Sequence, residues 1–245
     1  MEDTGGPFPS GGLISINTSN GGGITDCLLP STRPYPAPSK VKSRATKTRE
    51  ETRDLTLTDG AAVPVRAIQP ADAPALQRLY GRLSERSIHL RFFGYKKKLP
   101  DWRARHLACV DGVDRFALVA LDPDDQDEII AVVRFDSEVA TDKAEYAALV
   151  EDRWQGRGLG LSMTRQLIVV ARDRGVRCLY GVVMHGNKPM LGLLRRLDLP
   201  RRERLEKDAR MVEIELQFGD CVSLEYDAPD VVAAYKPKKK CDDCC

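Results

Sequence analysis

The sequence predicts an α/β domain: a mixed central sheet flanked by helices, lying between disordered N- and C-terminal tails. Three observations carry this. Between residues 62 and 218, short apolar or β-branched runs alternate with stretches whose apolar residues recur at helical spacing. A strand-like run hands over to a helix-like run through QGRGLG, residues 155–160. The flanking segments, 1–61 and 219–245, lack either period. GGLISINTSNGGG is Gly/Ser/Asn-rich, LLPSTRPYPAPSK is Pro-rich and KVKSRATKTREETRD is charged, so none buries enough apolar surface to offset chain entropy.

The elements follow in order. VPVRAI is a short strand. In QPADAPALQRLYGRLS, Asp72 stands at an N-cap position and Pro74 in the first turn, and Leu76, Leu79, Tyr80 and Leu83 form a helical stripe. Ser84 is placed to cap a second helix, ERSIHLRFFG, with Gly94 at its end. WRARHLACV is a third helix. RFALVALD and EIIAVVRFDS are strands separated by the turn-rich PDDQD, and AEYAALV is the strand that enters the glycine loop. A helix is expected from about 159 to 173, with Leu159, Met163, Leu167, Val170 and Ala171 on one face and Gly175 at its C-terminal cap. VRCLYGVVM is a strand, NKPMLGLLRRL a helix capped by Asn187, and ARMVEIELQF a late strand.

Composition excludes several classes of function. The chain has 245 residues, is 42% hydrophobic and carries a net charge of +2, which supports a real core and argues against a dedicated nucleic-acid binder. No apolar run is long enough to span a membrane, and MEDTGGPFPS lacks the basic flank and apolar core of a secretory signal. The expected setting is cytoplasmic, with no membrane partner. The 7 cysteines are scattered, which is no disulfide framework; Cys109 and Cys178 read as inert core thiols. Cys241 and Cys244 form a lone Cys-x-x-Cys pair beside Cys245, half of a zinc site at most, and His89, His106 and His185 have no metal spacing. No metal is expected. No motif encodes an oligomeric state.

The glycine loop is the chemical signal. Gly158 and Gly160 stand where a helix begins, and the first N–H groups of a helix have no intrahelical partner and carry the positive end of its dipole. Without side chains in the way, an anion such as a diphosphate sits directly on them, with Arg153 and Arg157 adding charge. The spacing fits neither a dinucleotide fingerprint, since Leu161 or Met163 falls where its third glycine belongs, nor a P-loop, since GLGLSM has no lysine. The bland alternative is a tight turn that needs glycine.

Gln155-Gly156-Arg157-Gly158-Leu159-Gly160 resembles the Gln/Arg-x-x-Gly-x-Gly/Ala diphosphate loop of the GNAT superfamily of N-acetyltransferases. AEYAALVEDRWQGRGLG is similar to the strand, loop and helix start that hold acetyl-CoA there. NKPMLGLLRRLDLP resembles the segment after the fifth strand, and LYGRLSERSIHLRFFG the first helices of bacterial Pat-type protein lysine acetyltransferases. The resemblance covers about 62–218 and implies a GNAT fold with a mostly antiparallel sheet, acetyl-CoA as co-substrate, and direct transfer to an amine in a ternary complex. Cofactor contacts would come from the loop Gln155–Gly160, from backbone groups near Leu149, Val150 and Glu151, and from Asn187, which is equally explained as a helix cap. Arg91, Phe92 and Phe93 lie in helices that line the acceptor cleft in this family.

A lysine amine, with a pKa near ~10.4, must lose a proton before it attacks. Glu145 is the candidate base. Strand alternation places it on one face with Ala147 and Leu149, where partial desolvation raises a carboxyl pKa; Pat-type enzymes carry a catalytic glutamate in the matching segment. Many GNAT enzymes have a tyrosine acid in the helix after the fifth strand, but Leu193 and Leu194 stand there here, and Asp198-Leu199 replaces the usual Gly-Phe ending. The readings are therefore a protein lysine acetyltransferase with acyl-CoA synthetases as implied targets, a small-molecule amine acetyltransferase, or a non-catalytic acyl-CoA sensor.

Overall fold

A computed structural model of the chain describes residues 52–94, 98–205 and 207–216. Most of the N-terminal tail and the tail from 219, with Cys27, Cys221, Cys241, Cys244 and Cys245, lie outside the described residues.

Eight strands form one sheet. They are β1 (Arg53–Thr56), β2 (Ala62–Ala67), β3 (Arg115–Leu121), β4 (Ile129–Ser137), β5 (Lys143–Val150), β6 (Cys178–Met184), β7 (Arg201–Leu205) and β8 (Ala209–Glu215). Their order is β1-β2-β3-β4-β5-β6-β8-β7, and every neighbouring pair is antiparallel except β5 and β6. Helices α1 (Ala73–Arg82), α2 (Glu85–Phe92) and α3 (Asp101–Ala108) pack with one face, and α4 (Leu159–Asp173) and α5 (Lys188–Arg196) with the other.

Each face has its own core. Leu76, Leu79, Tyr80, Ile88 and Ala104 join Val119, Leu121 and Ile129 on the first. On the second, Leu159, Met163, Leu167, Val170 and Ala171 are all buried against Phe135, Ala144 and Leu179, the stripe read from the sequence. Burying one such large side chain contributes about 1.5–3 kcal/mol, so α4 is held as a rigid support behind β4 and β5.

The helix ends follow local chemistry, with two corrections. Gly175, at φ 81°, ends α4 in a Schellman motif, Val176 N–H donating to Ala171 O and Gly175 N–H to Arg172 O. Ser84 caps α2 by accepting from Ser87 N–H. The left-handed residue that closes α2 is Phe93, at φ 56°, rather than Gly94. Asp72 stands at the N-cap of α1, but its carboxylate accepts from Gln69 N–H and from Arg66 instead of from the first turn. A nearby guanidinium is a stronger donor than a backbone amide.

Two strands lie where no sheet period is visible. β1 falls inside the segment expected to lack structure, so the folded unit starts before residue 62; Leu55 and Leu57 anchor it in the core. β7, RRERL, is exposed throughout and is held on the edge by backbone pairing to β8 and by pairs such as Arg202–Glu215. Cys109 and Cys178 are free and half-buried rather than core.

Candidate active site

The parallel pair β5–β6 creates the site by coming apart. Their register runs through Lys143↔Cys178, Ala144↔Leu179 and Glu145↔Tyr180 and then stops. Beyond it β5 continues to Val150 paired only with β4. Backbone groups alternate sides along a strand. Glu151 N–H donates to Ile130 O of β4 at 2.8 Å, so Leu149 shares that direction and Ala148 and Val150 face the gap. The backbone N–H of Glu151 is thus directed at β4, and that of Leu149 lies on the same side. The Glu151 side chain is buried between Arg82 and Arg153, at 3.0 and 2.6 Å.

The glycine loop closes one end of the gap. Gly156 and Gly158 have φ 75° and 89°, conformations that strain any side-chain-bearing residue. Gly158 is the N-cap of α4. A Cβ on Gly160 would stand 3.2 Å from Leu193 Cδ1 and 3.4 Å from Val150 Cγ2, so glycine lets the helix start sit against both β5 and α5. Leu159, by contrast, is buried in the core.

The β1–β2 turn props the loop from behind. Thr58 donates to Arg157 O from both its backbone N–H, at 3.4 Å, and its hydroxyl, at 3.0 Å. In a trans peptide the N–H points opposite to the C=O, so the Gly158 N–H is turned away from Thr58, toward the free end of the helix. The Arg157 side chain pairs with Asp59 at 2.5 Å and lies 4.2 Å over the Trp154 ring. Arg153 is bound to Asp122 and Glu151. Carboxylates hold both guanidinium groups, Asp59 that of Arg157 and Asp122 with Glu151 that of Arg153. Gln155 likewise braces the loop, its Nε2 donating to Val150 O at 2.9 Å and Ser87 Oγ at 3.2 Å. Asn187 caps α5, its side chain accepting from Met190 N–H at 3.1 Å.

Glu145 stands at the point where the strands separate, half-buried. Burial pushes its carboxyl up to about 7, Arg91 and Arg134 oppose the rise, and Asp136 and Glu138 add to it. Asp136 is its cross-strand register partner on β4. On the other side Tyr180 donates from its hydroxyl to Glu138 Oε1 at 2.6 Å, and burial pushes the phenol well up, so it keeps its proton at neutral pH. The face of β5 that carries Glu145 opens into a cavity of about 40 Å³, lined by Ile68, Leu76, Arg91, Phe92, Arg134 and Leu149 among others.

The sequence reading missed Thr58, Asp136 and Tyr180. Asp136 and Tyr180 become neighbours of Glu145 only through sheet order, and Thr58 lies in a segment that reads as tail. Asp198 adopts φ 56°, the left-handed backbone for which glycine is usual at that place; Asp tolerates it better than most residues.

The residues present fit an acyl-CoA thioester: an N-terminal helix cradle cleared of side chains, and a strand edge open beside it. Among the described residues no group of three or more His, Cys, Asp or Glu could hold a metal ion, and no helix is long and apolar enough to cross a membrane.

Comparison with known proteins agrees. Residues 85–198 match the acetyltransferase (GNAT) family. The chain is similar to acetyltransferase PA5475 of Pseudomonas aeruginosa, 30% identical over 138 residues, 56% of this chain and 74% of that protein. It is similar to the GNAT domain of S. lividans PAT, with a TM-score of 0.62 and 30% identity, covering 67% of this chain and 96% of the other. The fold is also that of yncA from Salmonella typhimurium, solved with its cofactor acetyl-CoA, with a TM-score of 0.51 and 17% identity over 66% of this chain and 98% of that one. The chain therefore belongs to the GNAT family of acetyltransferases, acetyl-CoA-dependent N-acetyltransferases.

Proposed function

We propose that this enzyme moves the acetyl group of acetyl-CoA to the side-chain amine of a protein lysine, with Glu145 as the general base. The observation that carries the reading is Glu145 itself: a half-buried carboxyl, at the opening of the β5–β6 gap, with its pKa pushed up to about 7. A base is most effective when its pKa lies near the working pH. The resemblance of LYGRLSERSIHLRFFG and AEYAALV to Pat-type enzymes supports the lysine acceptor.

The N–H groups at Gly158 and the first turn of α4 would hold the diphosphate, fixed in direction by Thr58 behind them. The Ala148 and Val150 backbone would pair with the pantetheine arm as an added strand does. When bound, acetyl-CoA supplies the thioester carbonyl that the amine attacks. The amine arrives as an ammonium ion, Glu145 accepts its proton as attack begins, and as the new C–N bond forms the C–S bond would break, CoA leaving as its thiolate. The negative groups around Glu145, Asp136 and Glu138, favour that cationic form at the site. Tyr180, held by Glu138, fixes the position of that carboxylate.

The test is to incubate the protein with acetyl-CoA and a lysate of folded proteins and map new acetyl-lysines by mass spectrometry against Glu145→Gln. A short set of lysines lost in the variant supports the reading. Acetyl-CoA binding without any such set sinks it.

A further inference from the structure

Two guanidinium groups, those of Arg91 and Arg134, stand beside Glu145, and Arg103 lies near Arg91. Arg91 comes from α2, Arg103 from α3 and Arg134 from β4. Arg134 donates to Leu107 O at 3.2 Å and to Asp136 at 2.9 Å, while its Nε is buried without an acceptor. The guanidinium groups of Arg91 and Arg103 make no hydrogen bond or ion pair with any described residue. The Arg91 guanidinium lies over the face of Phe92, 5.0 Å from the ring centroid.

The three are close enough to repel. Burial lowers the Arg91 pKa to about 10, and Arg134 and Arg103 both press in the same direction, against Glu145 and Asp136. Like charges held together at the wall of a partly dry cavity cost free energy. Elsewhere in the site the fold pairs its arginines: Arg82, Arg153 and Arg157 each bind a carboxylate. Arg91, left without a carboxylate partner among the described residues beside the candidate base, is placed for an incoming anion.

The position says whose anion it is. The helix N-terminal cradle belongs to α4, which packs on the opposite face of the sheet from α2 and α3. The acetyl group is neutral. The cavity of about 40 Å³ opens on the Glu145 face, and Arg91 and Arg134 are the charged residues that line it.

We infer that the acceptor carries a carboxylate close to its reacting amine, and that Arg91, at the cavity wall with Arg134, binds this carboxylate while Glu145 receives the amine's proton. The inference rests on the acetyl-transfer reading above. The carboxylate has two sources, an acidic side chain beside the target lysine in a protein or the α-carboxylate of a free amino acid. Both meet the same Arg91 guanidinium.

The test uses acceptors in pairs that differ in one carboxylate: a peptide with Lys-Glu against Lys-Gln, and lysine against lysinamide. Each is assayed for acetyl-CoA-dependent thiol release, and for binding to the CoA-saturated protein by calorimetry. In the wild type the carboxylate member is expected to be preferred about tenfold or more in kcat/KM in one arm, which names the source. Arg91→Gln should bring that ratio toward one, and Arg91→Lys should keep part of it. Any change the variants cause at Glu145 acts on both members and cancels in the ratio. Acetylation with a ratio near one in both arms, or a ratio that survives Arg91→Gln, overturns the inference and leaves acetyl transfer standing. A carboxylate preference in binding, dependent on Arg91 but without turnover, overturns the acceptor role together with the acetyl-transfer reading.

Discussion

Ionisation of Glu145 should govern both activity and stability between about pH 4.5 and 7. The carboxyl moves from an ordinary 4.5 to about 7, first because burial disfavours its charged form. The wild type kcat/KM should rise with pH and level off above about 7, falling to about a tenth of the plateau one unit below the inflection. Glu145→Gln should lower kcat by about 10²–10⁴-fold and remove that limb. Neighbours give the sign. Arg91 lowers the Glu145 pKa and Asp136 raises it, so Arg91→Gln should move the inflection up and Asp136→Asn should move it down. For stability, a folded pKa above the unfolded one means that the folded state holds the proton more tightly. The contribution is favourable below about 4.5 and is lost as pH rises through about 7. A shift of this size is worth at most about 3 kcal/mol, and a half-buried carboxyl retains about 1–2 of that after solvent screening. Glu145→Gln should therefore be more stable than wild type at pH 8 by about 1–2 kcal/mol and equal to it near pH 4, read by urea denaturation. A wild-type profile flat from pH 5.5 to 8, with a Glu145→Gln loss below about tenfold, would refute the base assignment.

Other outcomes follow from the supports of the site. Gly158→Ala places a side chain at φ 89° with Thr58 Cγ2 at 3.1 Å from its Cβ, which should cost about 1–2 kcal/mol and weaken acetyl-CoA binding by calorimetry. Thr58→Ala removes the hydroxyl from Arg157 O; the KM for acetyl-CoA should rise with kcat nearly unchanged, whereas equal loss in both would argue against a loop-positioning role. Arg82→Ala strips the buried Glu151 of one of its two guanidinium partners and should destabilise by about 3 kcal/mol in chemical denaturation. Asn187→Ala should lower stability by about 1 kcal/mol through loss of the α5 cap. If the cap is its whole role, acetyl-CoA affinity will not move.

Much of this protein was legible locally. The α4 stripe, the Ser84 and Asn187 caps, the strands around the glycine loop and the opening at QGRGLG follow from spacing, because helix and strand periods and cap chemistry act within a few residues. Glu145 was legible as a carboxylate between apolar neighbours on one strand. What sequence could not reveal is who meets whom across the sheet. β7 is a charged edge strand without alternation, β1 reads as tail, and both exist because β8 and β2 offer backbone groups to pair with. Arg153, Arg157 and Gln155 were expected around a phosphate, yet carboxylates and carbonyls brought near by folding hold them first. The gap between β5 and β6, the Asp136–Glu145–Tyr180 neighbourhood and the convergence of Arg91, Arg103 and Arg134 join segments far apart in the chain. Local sequence determined the elements and the cradle; the tertiary structure decided the charge environment of the base, because electrostatic energies depend on distance through space and on burial, neither of which is written in sequence separation.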